Sequence, residues 1–291
     1  MILVTGGTGF IGQQVVKDLL AQGEKVRLLC RSPMEMRGVE VIKGDLLDKE
    51  SLKAALKDVE NVIHLAAKIS YTAPREELFS LNVESVRCLA EAFKGKKFVL
   101  ASSVSVYGDT WEPAGEEAPF NPNNIYGETK IAAERALREA GIPSAALRLS
   151  VIFGAGSQKW FRVLQMLSKG FPVPGTSKVT NVLHVSDVSR AFILALQKGS
   201  GPYNIAAEHS IPIKQLVLLL ARELEIKARF WPPWLISFLA KFKGNAKAQL
   251  GSFTTNRIFK TEKAKEELGF SPKADFEKEI KRMVEWYKSV K

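Results

Sequence analysis

Residues 2–12 read ILVTGGTGFIG, a β-branched run, then glycines at 6, 7, 9 and 12, then the start of a helical pattern. Few features restrict a fold more. Glycines allow a tight turn after the strand, and their missing Cβ atoms let backbone and a helix N-terminus approach a pyrophosphate. Two registers fit, Gly7-x-Gly9-x-x-Gly12 and Gly6-x-x-Gly9-x-x-Gly12. Glycine spacing alone would also suit a purely structural loop. Strand, loop and helix in series supply the context of a dinucleotide fingerprint. The candidate cofactor contacts therefore run from Gly6 and Gly7 through Thr8, Gly9 and Phe10 to Ile11 and Gly12.

The rest of the first half supports this. Strand-like runs cover Ile2–Thr5, Lys25–Cys30, Val39–Gly44, Asn61–Ala66, Lys96–Ser102 and Ser144–Ser150. Helical patterns lie between them at Phe10–Gln22, Lys49–Leu56, Arg75–Phe93 and Tyr126–Ala140. Alternation of this kind marks βαβ units, and apolar runs this continuous suit strands buried on both faces of a parallel sheet. The expected fold class is α/β, a Rossmann-type doubly wound parallel sheet with a smaller C-terminal substrate-binding lobe. The expected division is 1–152, completed by a later strand near 181–206, and 153–291. In the second part FGAGSQKW reads as a loop and FPVPGTSK as a turn region. YNIA reads as a strand and IPIKQLVLLLAREL as a helix. Two further helices have Thr261 and Asp275 as N-cap candidates.

Composition excludes several classes. At 291 residues, 46% hydrophobic and 25% charged, the chain has the make-up of a globular protein with a large core. No apolar run approaches the roughly 20 residues of a membrane span. The opening MILVTGG has no basic segment followed by an apolar stretch, so a cytoplasmic protein is expected. Cys30 and Cys88 lack metal-ligand spacing and form no disulfide framework, and no metal site is expected. The net charge of +11 is scattered, with no basic run interleaved with aromatics. A phosphate-bearing cofactor explains part of it better than nucleic acid does.

At the end of the second strand-like run, the acid that would bind a ribose 2′-hydroxyl is missing. Arg31 and Ser32 stand there, and a guanidinium suits a 2′-phosphate, so NADP(H) is favoured over NAD(H). Asp45 and Leu46 follow the third run, where Asp45 either accepts from the adenine amino group or starts a turn. HLAA places Leu65 and the small Ala66 and Ala67 at a strand's carboxyl end, where doubly wound sheets bind ligands. His64 reads as structural there.

YGETK sets Tyr126 and Lys130 four residues apart, close enough to share a helical face. An ammonium beside a phenol stabilises the phenolate and makes it a usable acid or base. Tyr287 and Lys291 have the same spacing, so spacing alone does not identify a site.

The motifs TGGTGFIG, GDLLD, HLAA, LNVES, FVLASSVSVYG, YGETK, LRLSVIFG and HVSDV occur in this order. The chain resembles an extended short-chain dehydrogenase/reductase of the NAD-dependent epimerase/dehydratase superfamily along almost its whole length. Within it, the chain is closest to the dihydroflavonol reductase and 3β-hydroxysteroid dehydrogenase branches. The resemblance implies Ser103, Tyr126 and Lys130 as the catalytic set. In it Tyr126 is the acid/base, Lys130 holds the nicotinamide ribose and lowers the tyrosine pKa, and Ser103 bonds the reacting oxygen. It also implies a homodimer formed through the helices carrying residues 76–93 and 126–140. His184 and Asp187 match a motif read as architecture of the lobe.

Fold alone does not fix the reaction. Dehydratases of this kind carry an Asp-Glu pair after the serine; here Val104 and Ser105 stand there, which disfavours dehydration. Nucleotide-sugar epimerases place an asparagine three residues after the arginine of LR, where this chain has Val151, and they retain NAD. WPPWLISFLA, an apolar aromatic stretch in the lobe, favours an oxidoreductase acting on a fairly apolar secondary alcohol or ketone. An epimerase with tightly bound NAD and a non-catalytic NAD(P)-binding regulatory protein are the alternatives. Lys241, Lys243 and Lys247 after the apolar stretch leave peripheral membrane contact as a weaker reading.

Overall fold

β1 (Ile2–Thr5) is buried at every position, as expected of the central strand of a sheet covered on both faces. The computed structural model describes residues 1–32, 35–232, 234–235 and 255–291. From β1 the chain passes through α1 (Phe10–Ala21), β2 (Val26–Cys30), β3 (Val39–Lys43), α2 (Lys49–Leu56) and β4 (Asn61–His64). Then follow α3 (Arg75–Phe79), α4 (Ser85–Ala92), β5 (Lys97–Ser103), α5 (Ile125–Glu139), β6 (Ser144–Leu149) and β7 (Val151–Phe153). The second half holds α6 (Gln158–Ser168), β8 (Val173–Pro174), β9 (Val179–Thr180), β10 (Val182–His184) and α7 (Val185–Lys198). β11 (Gly201–Ile205), β12 (Ile211–Pro212), α8 (Ile213–Glu223), β13 (Phe230–Trp231), α9 (Glu262–Leu268) and α10 (Phe276–Val290) complete the described elements.

Seven strands form one parallel sheet in the order β11-β6-β5-β4-β1-β2-β3. This is the Rossmann-type arrangement expected, with the order reversing between β1 and β4. Ligands in such sheets bind at the carboxyl edge beside that reversal. α1 and α7 cover one face through Val15, Val16, Leu19, Val188 and Phe192. α2, α4 and α5 cover the other through Leu52, Val86, Leu89, Ala133 and Leu137. The lobe has its own core, in which Trp160 and Leu164 of α6, Leu216 and Leu220 of α8 and Met283 and Tyr287 of α10 pack together. α9 joins the first core, with Ala264 and Leu268 against the α1–α7 layer.

Three local expectations need correction. The single helix expected over Arg75–Phe93 is interrupted by a π-helical turn, Ser80–Glu84. The Asn82 side chain, buried in that turn, bonds both backbone groups of Lys68, and π turns of this kind frequently mark functional sites. FGAGSQKW is a loop only at its start, because Ser157 caps α6 and Lys159 already lies in its first turn. Asp275 does cap α10, accepting from Lys278 N at 3.0 Å, whereas the Thr261 side chain makes no capping bond. Its own N–H donates to Glu262 Oε2 at 2.9 Å.

The apolar helix expected from WPPWLISFLA lies largely outside the described residues, together with Lys241, Lys243 and Lys247. Among the described residues, no helix is long and apolar enough to cross a membrane.

The glycine loop folds back on itself. A Cβ added at Gly12 would sit 2.1 Å from Gly6 O, so the helix start and the strand end touch through bare backbone. Gly12→Ala should therefore cost about 1–3 kcal/mol through enforced displacement, seen as a lower urea midpoint. An unchanged midpoint would show that the loop does not need this contact.

Candidate active site

The carboxyl edge of the sheet gathers the sequence candidates at two adjoining places. The first is a cleft of about 780 Å³ bordered by the glycine loop and the ends of β2, β3 and β4. Gly6, Thr8 and Gly9 line it, as do Arg31, Ser32, Asp45 and Leu46 and, from the end of β4, Leu65, Ala66 and Ala67. Gly6 has φ +70°, and a Cβ there would meet Ala66 N at 2.6 Å. Backbone from two strand ends thus closes to a distance only glycine permits, and the cradle suits a dinucleotide.

The remaining loop candidates face elsewhere. A Cβ at Gly7 would overlap the Leu28 side chain, and Ile11 packs against the core. Phe10 lies near Gly156, where an added methyl would stand 3.9 Å from its ring. Arg31 and Ser32 are exposed, and Arg31 has no hydrogen bond or ion pair among the described residues. One oxygen of Asp45 starts a turn by accepting from Leu47 N at 2.9 Å. Lys68 and Glu77, which sequence reading missed, form an ion pair at the cleft.

The second place is the junction of β5 and α5. Ser103 ends β5, and its Oγ accepts from Ser105 N at 3.1 Å and donates to Ser105 Oγ at 3.0 Å. Tyr126 stands in the first turn of α5, which Asn124 caps by accepting from Gly127 N at 2.9 Å. Gly127 explains the close seating of that turn: a Cβ would lie 2.5 Å from Ser105 O. Tyr126 is buried, shares a hydrogen bond with Ser103, and meets Tyr71 edge-on with ring centroids 6.4 Å apart. Burial, with Tyr71 adding to it, pushes the Tyr126 phenol well above its ordinary range, and the Ser103 bond only partly opposes this. The neutral, proton-donating phenol is therefore the resting form.

Lys130 lies one turn on, its Nζ 5.6 Å from the Tyr126 ring centroid. The ammonium donates to Ala101 O at 2.8 Å. Burial lowers its pKa to about 8, while Glu134 resists that fall. Burial is the largest influence on the Tyr126 phenol here, followed by Tyr71.

Asn82 is a participant the sequence reading quoted only within a motif. Its Oδ1 accepts from Lys68 N at 2.7 Å, and its Nδ2 donates to Lys68 O at 3.0 Å and Thr129 Oγ1 at 3.1 Å. It thereby ties the segment after β4 to the turn of α5 that carries Lys130. His64 is structural: buried, with Nδ1 2.9 Å from Thr5 Oγ1, and held neutral with a pKa of about 3 by burial and then by the Lys130 charge. His184 caps α7 through Ser186. Asp187 clamps the chain before α10, accepting from Arg190 Nη2 and Lys273 N at 2.8 Å and from Ala274 N at 3.1 Å. Among the described residues no group of side chains could hold a metal ion.

Comparison with known proteins agrees with this architecture. The family model described as NAD dependent epimerase/dehydratase family matches residues 2–206. The mouse (Mus musculus) sterol-4-alpha-carboxylate 3-dehydrogenase, decarboxylating, is 26% identical over 97% of this chain and 89% of its own. Among solved structures, MoeE5 in complex with UDP-glucose and NAD superposes with a TM-score of 0.85 at 26% identity, covering 99% of both chains. The UDP-glucose 4-epimerase of Thermotoga maritima, solved with UDP-glucose, gives 0.84 at 26% identity and the same coverage.

One buried ion pair holds α5 in place. Glu134 accepts from Arg148 Nη2 at 2.7 Å and Nε at 3.0 Å, and from Ser102 Oγ. Glu134→Gln would leave the Arg148 charge, whose side chain is only 2% exposed, without its counter-ion. The expected loss is about 3–5 kcal/mol in urea unfolding. Glu60→Gln, at the exposed Lys96–Glu60 pair, should cost far less, because solvent screens that pair. Equal losses at the two sites would refute this account.

Proposed function

The chain belongs to the NAD dependent epimerase/dehydratase family, and on that premise we propose that it moves hydride between a nicotinamide cofactor and a secondary alcohol or ketone, with Ser103, Tyr126 and Lys130 handling the proton. As an enzyme of the extended short-chain dehydrogenase/reductase type it is NAD-dependent in class. The observation that carries the proposal is the meeting of Ser103, Tyr126 and Lys130 in one buried corner beside the dinucleotide cradle.

The bound nicotinamide supplies the hydride donor or acceptor. The Tyr126 hydroxyl gives its proton to the carbonyl oxygen during reduction and takes it back during oxidation. Ser103 donates a hydrogen bond to that oxygen as charge grows on it. Lys130, fixed by Ala101 O, places a positive charge next to the phenol, which makes loss of the proton less costly. Asn82 and Glu134 act through position, setting the turn and the depth of α5. Dehydration has no support at this corner, since Val104 and Ser105 occupy the places of a carboxylate pair.

An oxidoreductase of apolar substrates is our first reading, supported by the mouse relative's name. A nucleotide-sugar epimerase is the second, supported by the UDP-glucose complexes of two structural neighbours. Tyr126→Phe tests the shared chemistry: turnover should fall by about 10²-fold or more, the range of a positioned acid/base, while cofactor binding persists. Full activity in that variant would sink the assignment.

For the cofactor we propose NADP(H), because exposed Arg31 and Ser32 border the cradle where a 2′-phosphate would lie. Wild type should bind NADPH more tightly than NADH in fluorescence titrations, and Arg31→Ala should weaken NADPH alone. Equal affinities in wild type would instead assign the site to NAD(H).

A further inference from the structure

Large apolar side chains that lie exposed side by side mark a surface that meets something other than water. In the lobe, Phe171, Trp231 and Trp234 are 51%, 40% and 70% exposed, and Met166 is 42% exposed. Backbone bonds bring the four together. Phe171 N donates to Met166 O at 3.1 Å, which folds the end of α6 back toward β8. β8 pairs in parallel with β13, with Trp231 opposite Pro174, and Gly175 N donates to Trp231 O at 2.8 Å. Leu235 N donates to Pro232 O at 3.0 Å, a turn that holds Trp234 close to Trp231.

The charge around these rings has one sign. Residues 140–186 and 226–261, which include α6, β8 and β13, contain no Asp or Glu. Lys169, Lys227 and Arg229 are exposed there. A Cβ added at Gly170 would lie 3.6 Å from Arg229 Nη1, so the guanidinium reaches the turn just before Phe171. Lys214 of α8 holds its ammonium 5.8 Å from the Phe230 ring centroid. Leu218, 48% exposed, stands one helical turn further on. The next acids along the chain after Lys214, Glu223 and Glu225, are matched by Arg222 and Lys288 at 2.9 Å.

Exposed tryptophans flanked by cations match the chemistry of a bilayer surface, where indole rings settle at headgroup depth and ammonium and guanidinium groups meet lipid phosphates. An acidic peptide would answer the cations and leave the rings wet. An apolar protein face would cover the rings and bury the cations unpaired. We propose that this face of the lobe docks on the surface of an anionic phospholipid bilayer. Phe171, Trp231 and Trp234 enter the headgroup layer, and Lys169, Lys214 and Arg229 lie against its phosphates. Docking does not rest on the hydride-transfer reading above, but one consequence does. An alcohol or ketone of low water solubility partitions into lipid, and an enzyme seated on the bilayer draws its substrate from there.

The test mixes the full chain with vesicles of phosphatidylcholine alone, or of phosphatidylcholine with phosphatidylglycerol, and separates bound protein by flotation. The protein should float with the anionic vesicles, less so as salt is raised, and poorly with the neutral ones. Brominated acyl chains in the anionic vesicles should quench its tryptophan emission. Trp231→Ser combined with Trp234→Ser should weaken partition about tenfold or more. Lys169→Glu should weaken it about fivefold or more. Lys94→Glu, an exposed position before the amino end of β5, should float as wild type does. Absence of flotation, equal flotation with both vesicle types, or equal losses from Lys94→Glu and Lys169→Glu overturns the proposal. So does lipid-free self-association that the two serine substitutions abolish, which would assign the face to a second copy of the chain. If the serine variant does not fold, quenching of the wild type and the two lysine reversals still decide. Tyr126→Phe should float as wild type does, so failure of the catalytic reading and failure of docking give separate results.

Discussion

The buried contact of Glu134 with Arg148 sets the depth of α5, and most of the candidate site depends on that depth. Arg148 comes from β6 and Glu134 from α5, and Ser102 of β5 donates to the same carboxylate. The guanidinium also donates to Tyr107 Oη at 2.6 Å and Glu116 O at 2.8 Å. Tyr107 donates onward to Asn204 Oδ1 on β11 at 2.8 Å, and Asn204 Nδ2 reaches Ala114 O and Lys260 O. Three strands, the main site helix and the chain returning from the lobe therefore meet at one satisfied polar network. A buried charge is tolerable only when its partners are all in place. That requirement fixes where Tyr126 and Lys130 stand relative to Ser103.

The same site uses absent side chains as much as present ones. Gly6 and Gly12 let the first strand and helix close on each other and on Ala66, which shapes the cradle. Gly127 lets the start of α5 rest on Ser105 O. Each close approach brings backbone groups to a place where a ligand or a reacting atom is held. Electrostatics then divides the molecule: Tyr126 is kept protonated by burial, whereas the exposed guanidinium of Arg31 borders the cradle.

Much of this was legible in the residues. The strand runs and the glycine spacing gave the parallel sheet, because strands buried on both faces have few alternatives to continuous apolar sequence. The cradle candidates Arg31, Asp45 and Ala66 do border one cleft. Other features depended on contacts distant in sequence. Asn82, in the π turn at Ser80–Glu84, reaches back to Lys68, and a helical periodicity cannot report that bond. Arg148 reads as a residue near a substrate motif, yet its partners make it a strut. Lys159 fell in a segment read as loop, yet it lies in the first turn of α6, which Ser157 caps.

Sequence by itself determined that Tyr126 and Lys130 could share a helical face, and it gave Tyr287 and Lys291 the same possibility. Local geometry agrees with it in both cases, with Nζ 5.6 Å from the ring centroid in the first pair and 6.0 Å in the second. Only tertiary structure separates them. Tyr287 is sealed in the lobe core against Phe161, while Lys291 is exposed at the chain end. Tyr126 meets Ser103, and Lys130 is buried against Ala101 O at the edge of the dinucleotide cradle. A four-residue spacing sets the distance between two side chains, but the groups packed around them decide whether a proton can be exchanged there.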